Sequence, residues 1–182
     1  MNRAIKFKLK NGKIVTIRRI RETDVDAMAK FMDKFSRDPG AIWTMQYAGQ
    51  QKMNKENAAK FYEDPNNLAI GVWDGDTVIG MSSIMKQRAK HPYSMGITAG
   101  IFIFILQKYT HNGLGTKMLQ ILEKWARENG VLTITGEIRH PNIPSIMNCL
   151  KAGFIITGIH HNAAKINGQF MHEYFVEKLL EN

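Results

Sequence analysis

The sequence predicts a mixed α+β fold, because segments with the two-residue period of β-strands and segments with the three- to four-residue period of helices occur in one chain. Strand patterns come first, helix patterns follow, and strand patterns recur at the end, an order typical of layered folds. The 182 residues, 44% of them hydrophobic, match the size of roughly one domain. We therefore expect residues 1–182 to form a single domain with one core.

Turn signals define the elements of the N-terminal half. Asn11-Gly12 lies between two alternating segments and predicts a first β-hairpin, and Asp74-Gly75-Asp76 is the turn of a second. Thr23 is the expected N-cap of a helix whose apolar residues recur three and four positions apart. Residues 38–53 have no clear period and predict a loop. The predicted elements are strands at 5–9 and 14–20, a helix after Thr23, a short helix at 55–62, and strands at 68–73 and 77–85.

The C-terminal half contains a second set of patterns. Residues 100–106 form a short, uninterrupted run of Ile and Phe, which predicts a strand buried on both faces. From Gly113 an apolar stripe predicts a helix that ends at Asn129-Gly130. The remaining predicted elements are a strand at 131–138, a helix at 143–152, and strands at 154–160 and 170–179 around Asn167-Gly168.

Composition narrows the class of protein. A net charge of +9 favours anionic ligands such as phosphorylated cofactors, nucleic acid or acidic membranes, without choosing among them. The single cysteine, Cys149, excludes an internal disulfide and is typical of a reducing compartment. Residues 1–19 show no secretory signal. The apolar stretch at residues 95–106 is too short for a membrane-spanning helix, which needs about 20 residues. We therefore expect a cytoplasmic protein without membrane contact.

A glycine-bearing turn between a strand and a helix is the most informative stretch. Such a turn presents backbone N–H groups and the positive end of a helix to an anion. A dinucleotide fingerprint would need glycine at Met118, and a Walker A loop would need Gly-Lys-Ser/Thr at Gly115-Thr116-Lys117, so both fail. An ordinary tight turn at a helix start remains the alternative.

Residues 103–116, followed by Asn142 and the segment that ends in Gly153-Phe154, resemble the GNAT superfamily of acetyl-CoA-dependent N-acetyltransferases. The first stretch is similar to the family's acetyl-CoA loop, and the second to its Asn-containing turn and helix. The resemblance extends over most of the chain. It implies a twisted mixed β-sheet of about seven strands flanked by about four helices, splayed at the acetyl-CoA cleft.

The same resemblance implies where acetyl-CoA binds. One strand would pair with the pantetheine arm, the glycine turn would hold the pyrophosphate, and Asn142 would bond the cofactor arm in the cleft. The strand residues are Ile103, Phe104 and Ile105, and the turn residues are His111, Asn112, Gly113, Leu114, Gly115 and Thr116. Thr110 stands where the family's loop usually opens with Arg or Gln, so a long phosphate donor is missing.

Two residues are candidates for proton transfer. Glu137 lies five residues before Asn142 and matches a glutamate that serves as base in the family's ribosomal-protein N-terminal acetyltransferases. An ammonium group has no lone pair, so a base must remove its proton before attack. Cys149 occupies the position of the tyrosine that protonates the departing thiolate in many relatives. A solvated strand glutamate, a packed cysteine and a thiolate that leaves without help are the alternatives.

Residues for the acceptor are less defined. Aromatic walls and a carboxylate suit a cationic amine, and we favour Glu173 and Tyr174 over Trp43 and Tyr47 because of their place in the C-terminal hairpin. The six histidines are dispersed, so no metal site is expected.

The prediction is an N-acetyltransferase that moves acetyl from acetyl-CoA to a primary amine by direct attack in a ternary complex. The acceptor could be a small amine, an amino acid, an antibiotic or a protein N-terminus, and the oligomeric state is open. A non-catalytic sensor that binds acyl-CoA is the first alternative, because Cys149 replaces the family's acid. A basic nucleic-acid-binding module is the weaker one, because Phe7 is the only aromatic residue among the N-terminal basic residues.

Overall fold

The computed structural model describes residues 3–44, 53–87 and 97–180, without the side chain of Trp43. These residues form eight strands and four α-helices, one strand more than about seven. The elements are β1 (Ile5–Lys8), β2 (Ile14–Arg19), α1 (Val25–Phe35), α2 (Lys55–Glu63), β3 (Asn67–Asp74), β4 (Thr77–Lys86), β5 (Thr98–Ile105), α3 (Leu114–Glu128), β6 (Thr133–Arg139), α4 (Ile143–Lys151), β7 (Ile155–Ile166) and β8 (Gln169–Leu179). The predicted α+β class is confirmed.

The strands form one sheet in the order β1-β2-β3-β4-β5-β6-β8-β7. Every neighbouring pair is antiparallel except β5 and β6, which are parallel. That pair is short, since Thr98–Gly100 of β5 faces Thr133–Thr135 of β6 and the pairing then stops. β4 follows β5 up to Ile105, and β8 follows β6 up to Arg139. The sheet therefore opens between β5 and β6, as the predicted splay requires.

Helices cover both faces of the central strands. The rings of Phe35 in α1 and Phe104 in β5 stack with centroids 5.0 Å apart. Ile105, the next residue of β5, instead approaches Gly115 at the start of α3, with its Cδ1 3.8 Å from where a Cβ on that glycine would lie. Because successive strand residues point to opposite faces, α1 and α3 lie on opposite sides of the sheet. The predicted apolar stripe of α3, with Leu114, Met118 and Trp125, is buried.

The start of α1 differs from the prediction. Thr23 lies inside a 3₁₀ turn, Glu22–Asp24, and the α-helix begins at Val25. Asp24, not Thr23, accepts the backbone N–H of Arg21 at 2.9 Å, and both of its oxygens accept from Arg18 at 2.7 Å. Hydrogen bonding to Arg18 keeps the pKa of Asp24 below its ordinary value. A charged carboxylate is a stronger acceptor than a hydroxyl, which explains why the turn is organised around Asp24.

The exposure of β5 also corrects the prediction. The strand was expected to be buried on both faces, yet Ile101–Ile105 are all half-buried. Beyond Gly100 this strand has left β6, so side chains on both faces reach the opening in the sheet. The apolar run therefore forms a wall of that opening instead of an interior strand.

The edge strand β7 is longer than predicted and has two register shifts against β8. His160 and His161 of this strand are both exposed. Among the described residues, no helix has the length and apolar character needed to cross a membrane.

Candidate active site

The opening between β5 and β6 is the mouth of a cavity of about 1420 Å³. Its walls come from β5, the turn after it, the start of α3, β6, α4 and β8. Typical ligand pockets measure about 300–1,000 Å³, so this cavity can hold a nucleotide-sized cofactor together with a small second ligand. Nearly all sequence-predicted site residues line it, namely Ile103, Phe104, Ile105, His111, Gly113, Leu114, Gly115, Thr116, Glu137, Asn142, Cys149 and Glu173.

The glycine turn aims the N-terminus of α3 at this cavity. Gly113 has a φ of +79°, in the left-handed region that favours glycine, and α3 begins at the next residue. The first N–H groups of any helix have no partner within the helix. In α3 they belong to residues that line the cavity, including Gly115 and Thr116. The geometry fits an anion-binding cradle of the kind that a diphosphate occupies.

Gly115 lies close to helix α4. A Cβ at this position would lie 3.2 Å from Nδ2 of Asn148 in α4. The hydroxyl of Thr116 donates to Oδ1 of the same asparagine at 2.7 Å. Asn148 therefore joins α4 to the first turn of α3, a link that sequence reasoning missed. The one available signal was an amide side chain within a short, largely apolar helix.

Asn112 supports the turn from behind and does not line the cavity. Its Oδ1 accepts the backbone N–H of Lys10 at 3.1 Å, and its Nδ2 donates to the carbonyls of Tyr109 and Thr110 at 3.3 and 3.0 Å. The amide of Asn112 therefore holds the turn against the first hairpin.

A second anchor lies beside it. The hydroxyl of Tyr109 donates to Asp74 at 2.9 Å, and Lys13 forms an ion pair with the same carboxylate at 2.6 Å. These contacts tie the turn to both N-terminal hairpins. The N–H groups of Tyr109 and Thr110 donate to the carbonyls of Leu106 and Gln107. Side chains thus maintain the loop shape around the N–H groups of residues 111–116.

Helix α4 closes the cavity with Asn142 at its N-terminus. Oδ1 of Asn142 accepts the backbone N–H of Ser145 at 3.3 Å, which caps the helix. Cys149, two turns further along, is 7% exposed. Burial raises the pKa of the Cys149 thiol to about 11. An ordinary thiol has a pKa of about 8.5, so the Cys149 thiol is a weaker acid than an ordinary thiol and stays protonated at neutral pH.

Charged side chains of β6 and β8 form the opposite wall. Glu137 and Arg139 lie two residues apart on β6 and share a face. On β8, Glu173 faces Arg139 and Glu177 faces Thr135 in the strand register. All of these side chains line the cavity. Arg139 and Glu177 were not identified from the sequence, although the alternation along each strand was the signal that could have found them.

Tyr174 lies outside this wall. It follows Glu173 directly in β8, so its side chain points to the other face of the sheet. There it packs against the ring of His140, with centroids 5.9 Å apart, and it does not line the cavity. Of the two residues expected at the acceptor, Glu173 lines the cavity and Tyr174 does not. The side chain of Trp43, and Tyr47 as a whole, lie outside the described residues.

Three histidines also meet near β8. The ring of His172 lies 6.1 Å from that of His140 and 5.1 Å from that of His161. In the described segments, no group of three or more His, Cys, Asp or Glu side chains could hold a metal ion. Nδ1 of His172 accepts the backbone N–H of Asn162 at 3.1 Å, which gives this cluster a role in shaping the strand.

Comparisons with known structures show the same fold. A GNAT-family acetyltransferase from Streptococcus pneumoniae is 22% identical with a TM-score of 0.81, over 91% of this chain and 99% of that one. For yncA from Salmonella typhimurium, a structure that contains its cofactor acetyl-CoA, the identity is 20% and the TM-score 0.76, over 92% and 94%. Ribosomal-protein-alanine N-acetyltransferase from Brucella melitensis is 21% identical with a TM-score of 0.72, over 90% and 99%.

A family model identifies the protein family to which this sequence belongs. A search of curated proteins found no matching sequence. The family model of the acetyltransferase (GNAT) family matches residues 28–154, which contain the glycine turn, the cavity wall of β6 and helix α4. The chain therefore belongs to the GNAT family of acetyltransferases, and it is an acyltransferase.

Proposed function

We propose that this protein transfers an acetyl group from acetyl-CoA to a primary amine by direct attack within a ternary complex. The observation that carries the proposal is the direction of α3: the turn at Gly113 points the N-terminus of this helix at the cavity. The same cavity extends to a wall of carboxylates. One end of the cavity suits a diphosphate and the other a cation. The two substrates would therefore meet where β5 and β6 separate.

The residues of the turn and of β5 fit acetyl-CoA. The backbone N–H groups of residues 111–116 would hold the diphosphate. Beyond Gly100, the β6 side of β5 has no strand partner in the described part of the chain. Its free N–H and C=O groups at 103–105 would pair with the amides of the pantetheine arm, as an added strand does. Asn142 would contact the arm at the start of α4. When bound, acetyl-CoA supplies the thioester that the amine attacks.

Glu137 is proposed as the general base. Its side chain is exposed to the cavity and makes no hydrogen bond or ion pair with any described residue, so it is available to an incoming ammonium group. Alkyl ammonium groups have a pKa of about 10, so most of an acceptor amine is protonated at neutral pH. Glu137 would accept that proton directly or through a water molecule.

Cys149 is proposed to pack and not to act as the acid. A thiol with a pKa of about 11 holds its proton more tightly than the coenzyme thiol that would receive it. Transfer in that direction is unfavourable, and solvent that enters the open cavity can protonate the thiolate. Most of the catalytic effect would then come from the placement of amine and thioester together.

Thermal unfolding and thiol release test the proposal together. Acetyl-CoA should raise the melting temperature, and free thiol should appear when amines are added. A rise in melting temperature without thiol release across a broad panel of amines and peptides would favour the acyl-CoA sensor. No rise, combined with salt-sensitive binding of DNA or RNA, would favour the nucleic-acid module. A cytoplasmic location is part of the proposal, supported by the single cysteine.

A further inference from the structure

Arg139 is a charged side chain at the cavity wall whose hydrogen bonding is incomplete. Its Nη1 donates to the carbonyl of Thr44 at 2.7 Å, which leaves the rest of the guanidinium to other partners. Nε is buried and has no hydrogen-bond partner among the residues that the structure describes. No ion pair joins Arg139 to a carboxylate within the described segments, although Glu173 faces it across the strands.

A partly buried guanidinium without a carboxylate partner is unfavourable, because a charged donor that has lost its water needs a hydrogen-bond acceptor in exchange. An anion that enters the cavity beside Arg139 would supply that acceptor. Nη2 makes no hydrogen bond to a described residue and is not among the buried unpaired atoms, so it is the point of approach. Arginine also binds carboxylates with well-defined geometry.

The neighbouring carboxylate gives the other half of the recognition. Glu137, the proposed base, precedes Arg139 by two residues on the same face of β6. Residues two apart on a strand lie roughly 6–7 Å apart. A molecule with an ammonium group and a carboxylate on one carbon atom can bridge such a pair, with one hydrogen bond at each end.

We infer that the acceptor is a free α-amino acid and that Arg139 binds its carboxylate. This inference rests on the proposed acetyl transfer. A peptide N-terminus has a neutral amide in place of the carboxylate, and a simple amine has nothing there. Both would leave Arg139 without its partner, which is how a site rejects a ligand that lacks one group.

The test compares each of the twenty L-amino acids with its carboxamide, in the wild type and in Arg139→Gln. Substitution should lower kcat/KM for the best amino acid at least tenfold, mainly through KM, and should lower it much less for the matching amide. For each substrate, the quantity compared is kcat/KM of the wild type divided by kcat/KM of the variant. This ratio cancels the difference in amine pKa between an amino acid and its amide. Arg139→Lys keeps the charge and should restore part of the preference.

Two controls separate a binding role from a structural one. Lys151→Gln removes one positive charge from an exposed position of α4 that does not line the cavity, and it should leave the ratio unchanged. The increase in melting temperature with acetyl-CoA should be the same in Arg139→Gln and wild type, which shows that the fold and the cofactor cleft are intact.

The inference is wrong if Arg139→Gln lowers kcat/KM equally for acids and amides, or if no free amino acid is acetylated. In the second case, acetylation of peptides or simple amines would leave the proposed function standing. Absence of thiol release with every acceptor would instead overturn the proposed function as well.

Discussion

The central hairpin β3–β4 and the C-terminal hairpin β7–β8 are both long and rich in apolar residues, yet their burial differs. Residues 67–73 of β3 and 78–84 of β4 are all buried. In β7 no residue is buried, and Ile155 and Ile159 are 57% and 46% exposed. Helices cover both faces of the central strands, whereas β7 is an edge of the sheet. The apolar character of a strand therefore does not decide its burial, which depends on its place in the sheet.

The two regions also differ in what they contribute. The central hairpin carries the apolar core, and the only buried polar side chains on its strands are Asn67, Ser82 and Ser83. The C-terminal region, defined as β6, α4, β7 and β8, carries the charged wall of the cavity, including Glu137, the proposed general base. We expect substitutions in the first region to change stability and substitutions in the second to change activity.

Ile70→Ala in β3 tests the first half of this division and should have the largest effect. Ile70 is 0% exposed, so its truncation leaves a cavity and should lower the free energy of unfolding by about 2–5 kcal/mol. Urea denaturation measures the change. The matched variant, Ile159→Ala in β7, should cost less than about 1 kcal/mol, because half of that side chain is already in water. Equal losses would contradict the comparison.

Glu137→Gln should have the largest effect on activity. Loss of a general base lowers kcat by about 10²–10⁴-fold, and we expect at least about a hundredfold loss with an unchanged melting temperature. The pH–rate profile should lose the ionisation of the base. Glu128→Gln, at an exposed position of α3 that does not line the cavity, is the control and should keep the activity. An unchanged rate and profile in Glu137→Gln would remove this residue from the mechanism.

Glu123 joins helix α3 to the C-terminal region, since its carboxylate accepts from Lys178 of β8 at 2.8 Å. Burial pushes the pKa of Glu123 upward, but hydrogen bonds from Lys178 and Arg127 outweigh it and lower the pKa below the ordinary value. A carboxylate whose pKa is lower in the folded state stabilises the fold at pH values above its unfolded pKa, about 4.3. This stabilisation is lost as the pH falls through the folded pKa.

Glu123→Gln should therefore destabilise the protein by about 1 kcal/mol at pH 7 and have no effect at pH values below both pKa values. Thermal unfolding at the two pH values measures the difference. Glu128→Gln, which removes a more exposed partner 3.8 Å from Lys124, should change neither value. A loss of the same size at acid pH would show that the interaction does not depend on ionisation.

Cys149→Ala should have the smallest effect on turnover. If the thiol only packs, kcat should stay within about threefold of wild type, and the stability loss should be about 1 kcal/mol, in keeping with removal of a small buried group. Steady-state rates with saturating acetyl-CoA provide the measurement. A hundredfold loss of kcat, with the fold intact, would instead identify Cys149 as the acid.

Features that depend on neighbours in sequence were predicted well. The stripe of α3, the stop at Asn129-Gly130 and the turn at Gly113 follow from local spacing and from the backbone freedom of glycine, and the structure has all of them. The two N-terminal hairpins follow from their turn residues. Contacts between residues distant in sequence were not predicted. Asn112 contacts Lys10, and Arg139 contacts Thr44, which is 95 residues away.

The sequence by itself determined the class of fold, the order of most elements and the turn that presents the end of α3, because each rests on local periodicity and backbone preference. The tertiary structure alone decided that β5 leaves β6 after Gly100, that Glu137 and Arg139 share a wall with Glu173, and that Tyr174 faces away. The physical reason is that strand register and pairing are set by packing across the whole sheet, and a side chain's face is known only once its strand has a partner.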